Sequence, residues 1–228
     1  MSNQKKFVLT NETKIFLGIT LYRIKALMQF EIIAKDELGG WVEKEKNINH
    51  SGDAWVSGDA QVSGNARVSG NARVSGNARV YGNAQVSGDA WVHGDAQVSG
   101  NARVYGNARV YGDARVYGNA WIHGDAQISG NARVSGETFI EHGKHQESPI
   151  CISASKHFVG WSGINGFIRS GCICKSIAWW RKNVIRCAEE NYYTEEQQQE
   201  YKLLVELVIQ WMVLKGVDQE ENESNNEK

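Results

Sequence analysis

One proline, Pro149, in 228 residues excludes a polyproline or collagen-like chain. Charge of either sign is not in excess: 25 Lys and Arg stand against 26 Asp and Glu, a formal net charge of −1. That balance argues against a protein held mainly by nucleic-acid phosphates. Long apolar runs are missing too. The longest, Leu203 to Leu214, is broken by Glu206 and Gln210 and is too short to span a bilayer. Met1 to Lys14 carries charge but no apolar stretch of the secretory type, so no export signal is expected. The four cysteines, Cys151, Cys172, Cys174 and Cys187, then read as reduced thiols of a cytoplasmic protein.

What the chain has in abundance is glycine, 24 residues, most of it in one repeat. From Ser51 to Ile140 the sequence is written in sixes: SGDAWV, SGDAQV, SGNARV and so on. An aliphatic residue closes each of fifteen units, from Val56 to Ile140, without one insertion. Ala stands two places before it, with Thr138 in the last unit, and Gly followed by Asn or Asp stands after it.

A pleat of period two turns Ala and Val of Ala-x-Val-x to one side and the variable residues to the other. Gly-Asn or Gly-Asp accepts positive φ and bends the chain. Each hexad is therefore a short strand plus a corner, and three corners close a triangular coil of eighteen residues. Ninety residues give about five coils, roughly 24 Å of stack at the usual strand spacing. The fold class is mainly β, a single-stranded parallel β-helix, with Val80 and Val104 expected inside. A stack of strands has open ends that invite end-to-end association, so caps are required.

The flanks read as those caps. Residues 1–50 form an N-terminal β cap with β-rich runs at Phe7–Thr10, Lys14–Leu17 and Thr20–Leu27, and a hairpin turn is expected at Asn11-Glu12. Residues 141–216 form a C-terminal capping or docking module. It begins with β-like segments at Ile150–Trp161 and Gly166–Lys175. A helix over Ser176–Glu190 follows, with Ile177, Trp180, Val184 and Cys187 on one face. Thr194-Glu-Glu-Gln197 is a capping box that opens a second helix. Its stripe is Tyr201, Leu204, Val205, Val208, Trp211 and Met212, and Gly216 is its stop. Residues 217–228 are an acidic tail, expected to be disordered.

The strand Thr20-Leu-Tyr-Arg-Ile-Lys-Ala-Leu27, the motif Leu38-Gly-Gly-Trp-Val-Glu43 and the first Gly-Asp-Ala-Trp unit occur together. In this the chain resembles the YdcK-type hexapeptide-repeat proteins of bacteria and prophages, over residues of about 15–140. The resemblance implies a left-handed parallel β-helix, the architecture shared with hexapeptide acyltransferases. It implies no defined activity.

Acyl transfer would need a histidine base in a cleft, and His93 and His123 occupy outward positions. Elsewhere that position holds Ser or Tyr, and no loop leaves the repeat to shape a pocket. Cys172-x-Cys174 puts two thiols on one strand face but lacks structural zinc spacing. His142, His145 and His157 lie nearby as further metal ligands, although buried reduced thiols are the simpler account. No catalytic residue, metal or cofactor is assigned.

The outward rows say more. Residues eighteen apart stack, so Trp55, Arg73, Trp91 and Arg109 form one row, and Arg103 and Trp121 belong to another. Tyr105, Tyr111 and Tyr117 put a phenol beside an Arg on every face. Such rows either stabilise the solenoid by cation–π stacking or anchor an interface. Residues 51–140 hold seven Arg and no Lys against six Asp and Glu137, so nucleic acid is not the expected partner. The expected function is a rigid, non-catalytic scaffold, phage- or prophage-encoded, that binds a host protein, with inhibition as one use of that binding. Self-association through the β-helix or the C-terminal module is a second expectation, and acyl transfer is the alternative activity.

Overall fold

A computed structural model describes residues 5–219 apart from 147, 163, 164 and 172. Each hexad contributes a two-residue strand, from Trp55–Val56 through Arg79–Val80 to Phe139–Ile140. Ala, or Thr138 in the last unit, and the aliphatic residue of every unit point inward and are shielded from solvent, Val80 and Val104 included. Strands pair in parallel with the strand eighteen residues on: Val56 faces Val74, Val74 faces Val92, and Val92 faces Val110. Three sheets result, one per face.

The backbone bonds run from coil to coil. Trp55 N–H donates to Ala72 O at 3.0 Å, and Ser57 N–H to Val74 O at 2.9 Å. The corners join as well, Asn71 N–H donating to Gly88 O at 2.8 Å. At these corners Gly has φ near that of Gly88, 68°, and a Cβ there would lie 3.0 Å from Gly106 N. Both the left-handed backbone and the close coil spacing thus require glycine.

The solenoid has about six turns rather than the five that the hexads alone supply. β1 (Phe7–Phe16), β2 (Ile19–Ala26) and β3 (Leu38–Val42) extend one sheet, and β3 pairs in parallel with Gln61–Val62. Ile48 bridges to Val68 on a second face. At the other end Lys144–His145 pairs with Gln127–Ile128, and buried His145 takes the place of an aliphatic residue. Its Nε2 donates to His142 O at 2.9 Å, and burial holds its pKa below the ordinary value.

The expected turn at Asn11-Glu12 is corrected. β1 runs straight through these residues with a register shift between Leu9 and Thr13, and the hairpin turns at Leu17-Gly18 instead. Both turn residues have positive φ, 48° and 78°, as two-residue hairpins of matching twist require. A bulge absorbs the local preference of Asn11-Glu12, and Glu12 pairs with Arg23 at 3.4 Å.

Polar side chains from the N-terminal segment finish the first coil. Buried Lys6 donates through Nζ to Gly52 O and Ala54 O, at 2.9 and 2.8 Å. Asn47 Nδ2 donates to Ala66 O at 2.9 Å, and Glu43 accepts Gly64 N–H at 2.6 Å. That last bond is the main reason the Glu43 carboxyl sits below its ordinary range. Gly39 explains half of the Leu38-Gly-Gly-Trp motif: a Cβ there would meet Ile24 Cγ1 at 2.5 Å and Val56 O at 2.6 Å.

Residues up to 135, with 140–148, make one compact unit; 136–139 with 149 onward make another. In the second unit Cys151–Ser153, Phe158–Trp161, Phe167–Ser170 and Ile173–Ser176 form an antiparallel sheet in chain order. α1 (Ile177–Glu190) follows, its first turn capped by Ser176 Oγ, which accepts Trp179 N–H at 3.3 Å. α2 (Glu195–Lys215) opens on the Thr194/Gln197 capping box and stops at left-handed Gly216. Trp180, Val184, Tyr201, Val205, Val208 and Met212 are buried with Val159 and Ile168. Ile209 joins them, whereas Leu204 and Trp211 are only partly covered. Trp180 Nε1 donates to Ile168 O at 2.8 Å. Cys172 and the acidic tail from Glu220 onward lie outside the described residues.

Two predictions follow from the first coil. Gly39→Ala should lower stability by about 1–3 kcal/mol, since backbone and packed side chains meet the new methyl group; the thermal midpoint reads this. Burial pushes the Lys6 ammonium from 10.5 down to about 8, with Asp53 offsetting part of the effect. From pH 8 to 10.5 the unfolded chain therefore holds the extra proton, so this residue's contribution to stability rises with pH. Lys6→Met should flatten that rise in denaturant midpoints taken on either side of the window. An unchanged slope would assign the titration to another group.

Candidate functional site

The outward residues fall into stacks because the coils repeat in register. Trp55 departs from the expectation of a solvent-facing row: it is 3% exposed. Phe7 and Phe30 meet it edge-on, with ring centroids at 6.4 and 5.4 Å. The N-terminal segment covers this end of the face, and the open row begins one coil later.

There Trp91 lies between two guanidinium groups, Arg73 at 5.4 Å and Arg109 at 5.5 Å from its ring. Trp91 remains 41% exposed. Arg73 is also tied to the N-terminal segment through an ion pair with Glu31. One strand in this row is thus fixed from both sides, with each cation–π contact contributing about 0.5–1 kcal/mol at exposed sites.

The other faces carry the same chemistry. Arg103 stacks on Trp121 at 4.7 Å, and Tyr105 meets Trp121 edge-on at 6.4 Å. Tyr105 also lies parallel to His123 at 5.1 Å, as His93 does to Tyr111 at 5.1 Å. Tyr117 is exposed on the remaining face. Burial first, then Arg109, holds the His93 pKa below its ordinary value, so its ring stacks uncharged at neutral pH. The two histidines weighed for acyl transfer are thus each one member of a ring stack.

Corner amides form a second set of ladders. Asn65, Asn83, Asn101 and Asn119 pass a hydrogen bond from coil to coil, Nδ2 to Oδ1, at 3.1–3.2 Å. Asn71 donates to Asp89 at 3.0 Å and Asn107 to Asp125 at 3.1 Å. These carboxylates are held beside the Arg rows, which offsets the positive field.

The cysteines that are described, Cys151, Cys174 and Cys187, are half-buried. Burial raises the Cys151 thiol pKa, against a lowering by Thr138. Among the described residues no three His, Cys, Asp or Glu side chains converge as a metal set, and no helix is long and apolar enough to cross a membrane.

Two surface features escaped the sequence. The hairpin tip overhangs a groove of about 270 Å³ lined by Phe16, Leu17, Ile19, Arg79 and Tyr81, where Arg79 stacks on Phe16 at 4.5 Å. A larger, more polar groove of about 660 Å³ is bordered by Glu45, His50, Arg67 and Gln85. His50 is fully engaged there: Nδ1 accepts Lys6 N–H at 3.1 Å, so Nε2 carries the proton toward Glu45 at 2.8 Å. Neither groove has a periodic signal, since each arises where the irregular N-terminal segment meets the regular coils.

Burial predicts opposite outcomes for two tryptophans of one row. Trp55→Ala should cost about 3–5 kcal/mol, as large-to-small changes in cores do. Trp91→Ala should cost about 1–2 kcal/mol, the sum of two exposed cation–π contacts. Denaturant unfolding of both variants checks the ranking.

The YdcK beta solenoid repeat model matches residues 60–76, 66–80, 72–88, 78–94, 96–110, 108–124 and 126–143. The Leu38–Glu43 motif precedes these matches. No curated protein matches the chain. Successive matches advance by whole hexads over much of the repeat, in step with the coils. The solenoid of this chain is a YdcK-type β-solenoid repeat.

Proposed function

We propose that the protein is a rigid, non-catalytic binding scaffold of the cytoplasm whose partner is another protein. The single observation that supports this most is Trp91, held half-open between Arg73 and Arg109 on a frame without insertions. Trp, Arg and Tyr are the side chains that most often dominate protein interfaces. A frame that orders them beforehand loses little conformational freedom on binding. The charge balance of the repeat favours a protein over a phosphate backbone. For a phage- or prophage-encoded chain, presenting this stiff surface to a host protein would inhibit it, and that is the use we propose.

Trp91→Ala and Trp121→Ala, separately and together, test the proposal. Affinity capture from the native host, read by mass spectrometry, should lose the partner by about tenfold or more when an anchor is truncated. Far-UV circular dichroism should stay unchanged. Capture that ignores both substitutions would remove the ladder from the interface.

A further inference from the structure

The groove under the hairpin tip, about 270 Å³, lies on the face of Gln61, Arg79 and Gln97, to which neither Trp91 nor Trp121 belongs. Phe16, Leu17 and Ile19 line it from the hairpin, and Tyr81 lines it from the coils. Leu17 is 85% exposed and Tyr81 41%, so this apolar lining stands open to solvent. Arg79 is the one charged side chain among the described residues that border the groove.

That arginine is unlike the others of the repeat. Of the seven in the hexads, five are exposed, and Arg73 and Arg79 are half-buried. Arg73 has Glu31 as its counter-ion. Arg79 has no carboxylate partner among the described residues, and its guanidinium rests on the Phe16 ring at 4.5 Å. The cations beside it are matched: Lys14 has Asp59 at 4.0 Å, and Arg23 has Glu12 at 3.4 Å. A half-covered guanidinium beside apolar walls has already lost part of its hydration, so an anion placed there gains a charge-assisted bond at small further cost. Gln61 and Gln97 stand on either side of Arg79 in the ladder and carry amide donors for a second carboxylate oxygen.

The backbone of the neighbouring coils is spent. Ser63 N–H donates to Val80 O and Tyr81 N–H to Val98 O, both at 3.0 Å. These groups are therefore closed to the main chain of a peptide, which favours a free small molecule. We infer that the groove is a binding site for a small apolar monocarboxylic acid. Its carboxylate lies on Arg79, and its hydrocarbon part lies among Phe16, Leu17, Ile19 and Tyr81. An apolar cavity of about 150 Å³ suffices for benzene, and this groove has room for a longer body.

Isothermal titration of the full chain with octanoate, octanol and octylammonium tests this, because the three share a tail and differ in the head. Octanoate should bind at one site with a Kd below about 1 mM. Octanol should bind at least about fivefold more weakly, and octylammonium more weakly still. Arg79→Gln should bring octanoate down to the level of octanol and leave octanol unchanged. Tyr81→Ser, which matches Ser63 and Ser99 one coil to either side, should weaken octanoate and octanol alike, by about threefold or more. Circular dichroism checks each fold, and if Arg79→Gln does not fold, the comparison of heads with Tyr81→Ser decides. An absence of saturable heat with the folded wild type would overturn the inference. So would octanol binding as tightly as octanoate, or octanoate binding indifferent to Arg79→Gln or to Tyr81→Ser.

Discussion

Everything in the solenoid depends on backbone hydrogen bonds that leave each coil for the next. A coil satisfies none of its strand N–H or C=O groups by itself; Trp55 needs Ala72, and Ser57 needs Val74. Such a stack propagates without limit, and its natural fault is the end, where a full set of donors and acceptors faces outward. At the N-terminal end the chain answers with side chains rather than another strand alone. Lys6 takes two carbonyls, Asn47 takes two more, and Glu43 takes an N–H. These groups belong to the N-terminal segment, whose Phe7 and Phe30 close over Trp55.

The repeat was legible because its physics is local and periodic. Ala and Val alternate with outward residues, Gly punctuates, and no other regular structure accommodates an uninterrupted six. Both C-terminal helices were legible for the same reason: Ser176, Thr194, Gln197 and Gly216 mark their ends through side-chain and backbone chemistry within a few residues. The sixth turn was not legible, since Ile48 and Lys144–His145 join it without the hexad pattern. Nor was the position of the first hairpin turn. Asn11-Glu12 carries a turn preference, but pairing with β2 from Phe7 to Phe16 outweighs it and leaves only a bulge.

The candidate surface divides in the same way. Stacking of Arg73, Trp91 and Arg109 follows directly from residues eighteen apart, so the cation–π geometry was foreseeable. The loss of Trp55 from that row was not, because its cover comes from Phe7 and Phe30, far away in sequence. The groove beside Arg79 depends on the hairpin tip meeting the coils, and no spacing encodes that. Surface rows are a property of period, whereas burial and cavities are properties of assembly.

The congruence of the coils has an evolutionary side. Gain or loss of eighteen residues anywhere inside the repeat returns every later side chain to its own face and shifts it by one level. Gain or loss of six instead turns all later hexads by a third of a revolution: a residue in Trp121's register would leave the Arg103 column for a neighbouring one. Both changes keep Ala and Val inside, so the core is indifferent to them. Lineages of such chains can therefore lengthen freely while reshuffling, in steps of one hexad, which ladders their aromatic residues join.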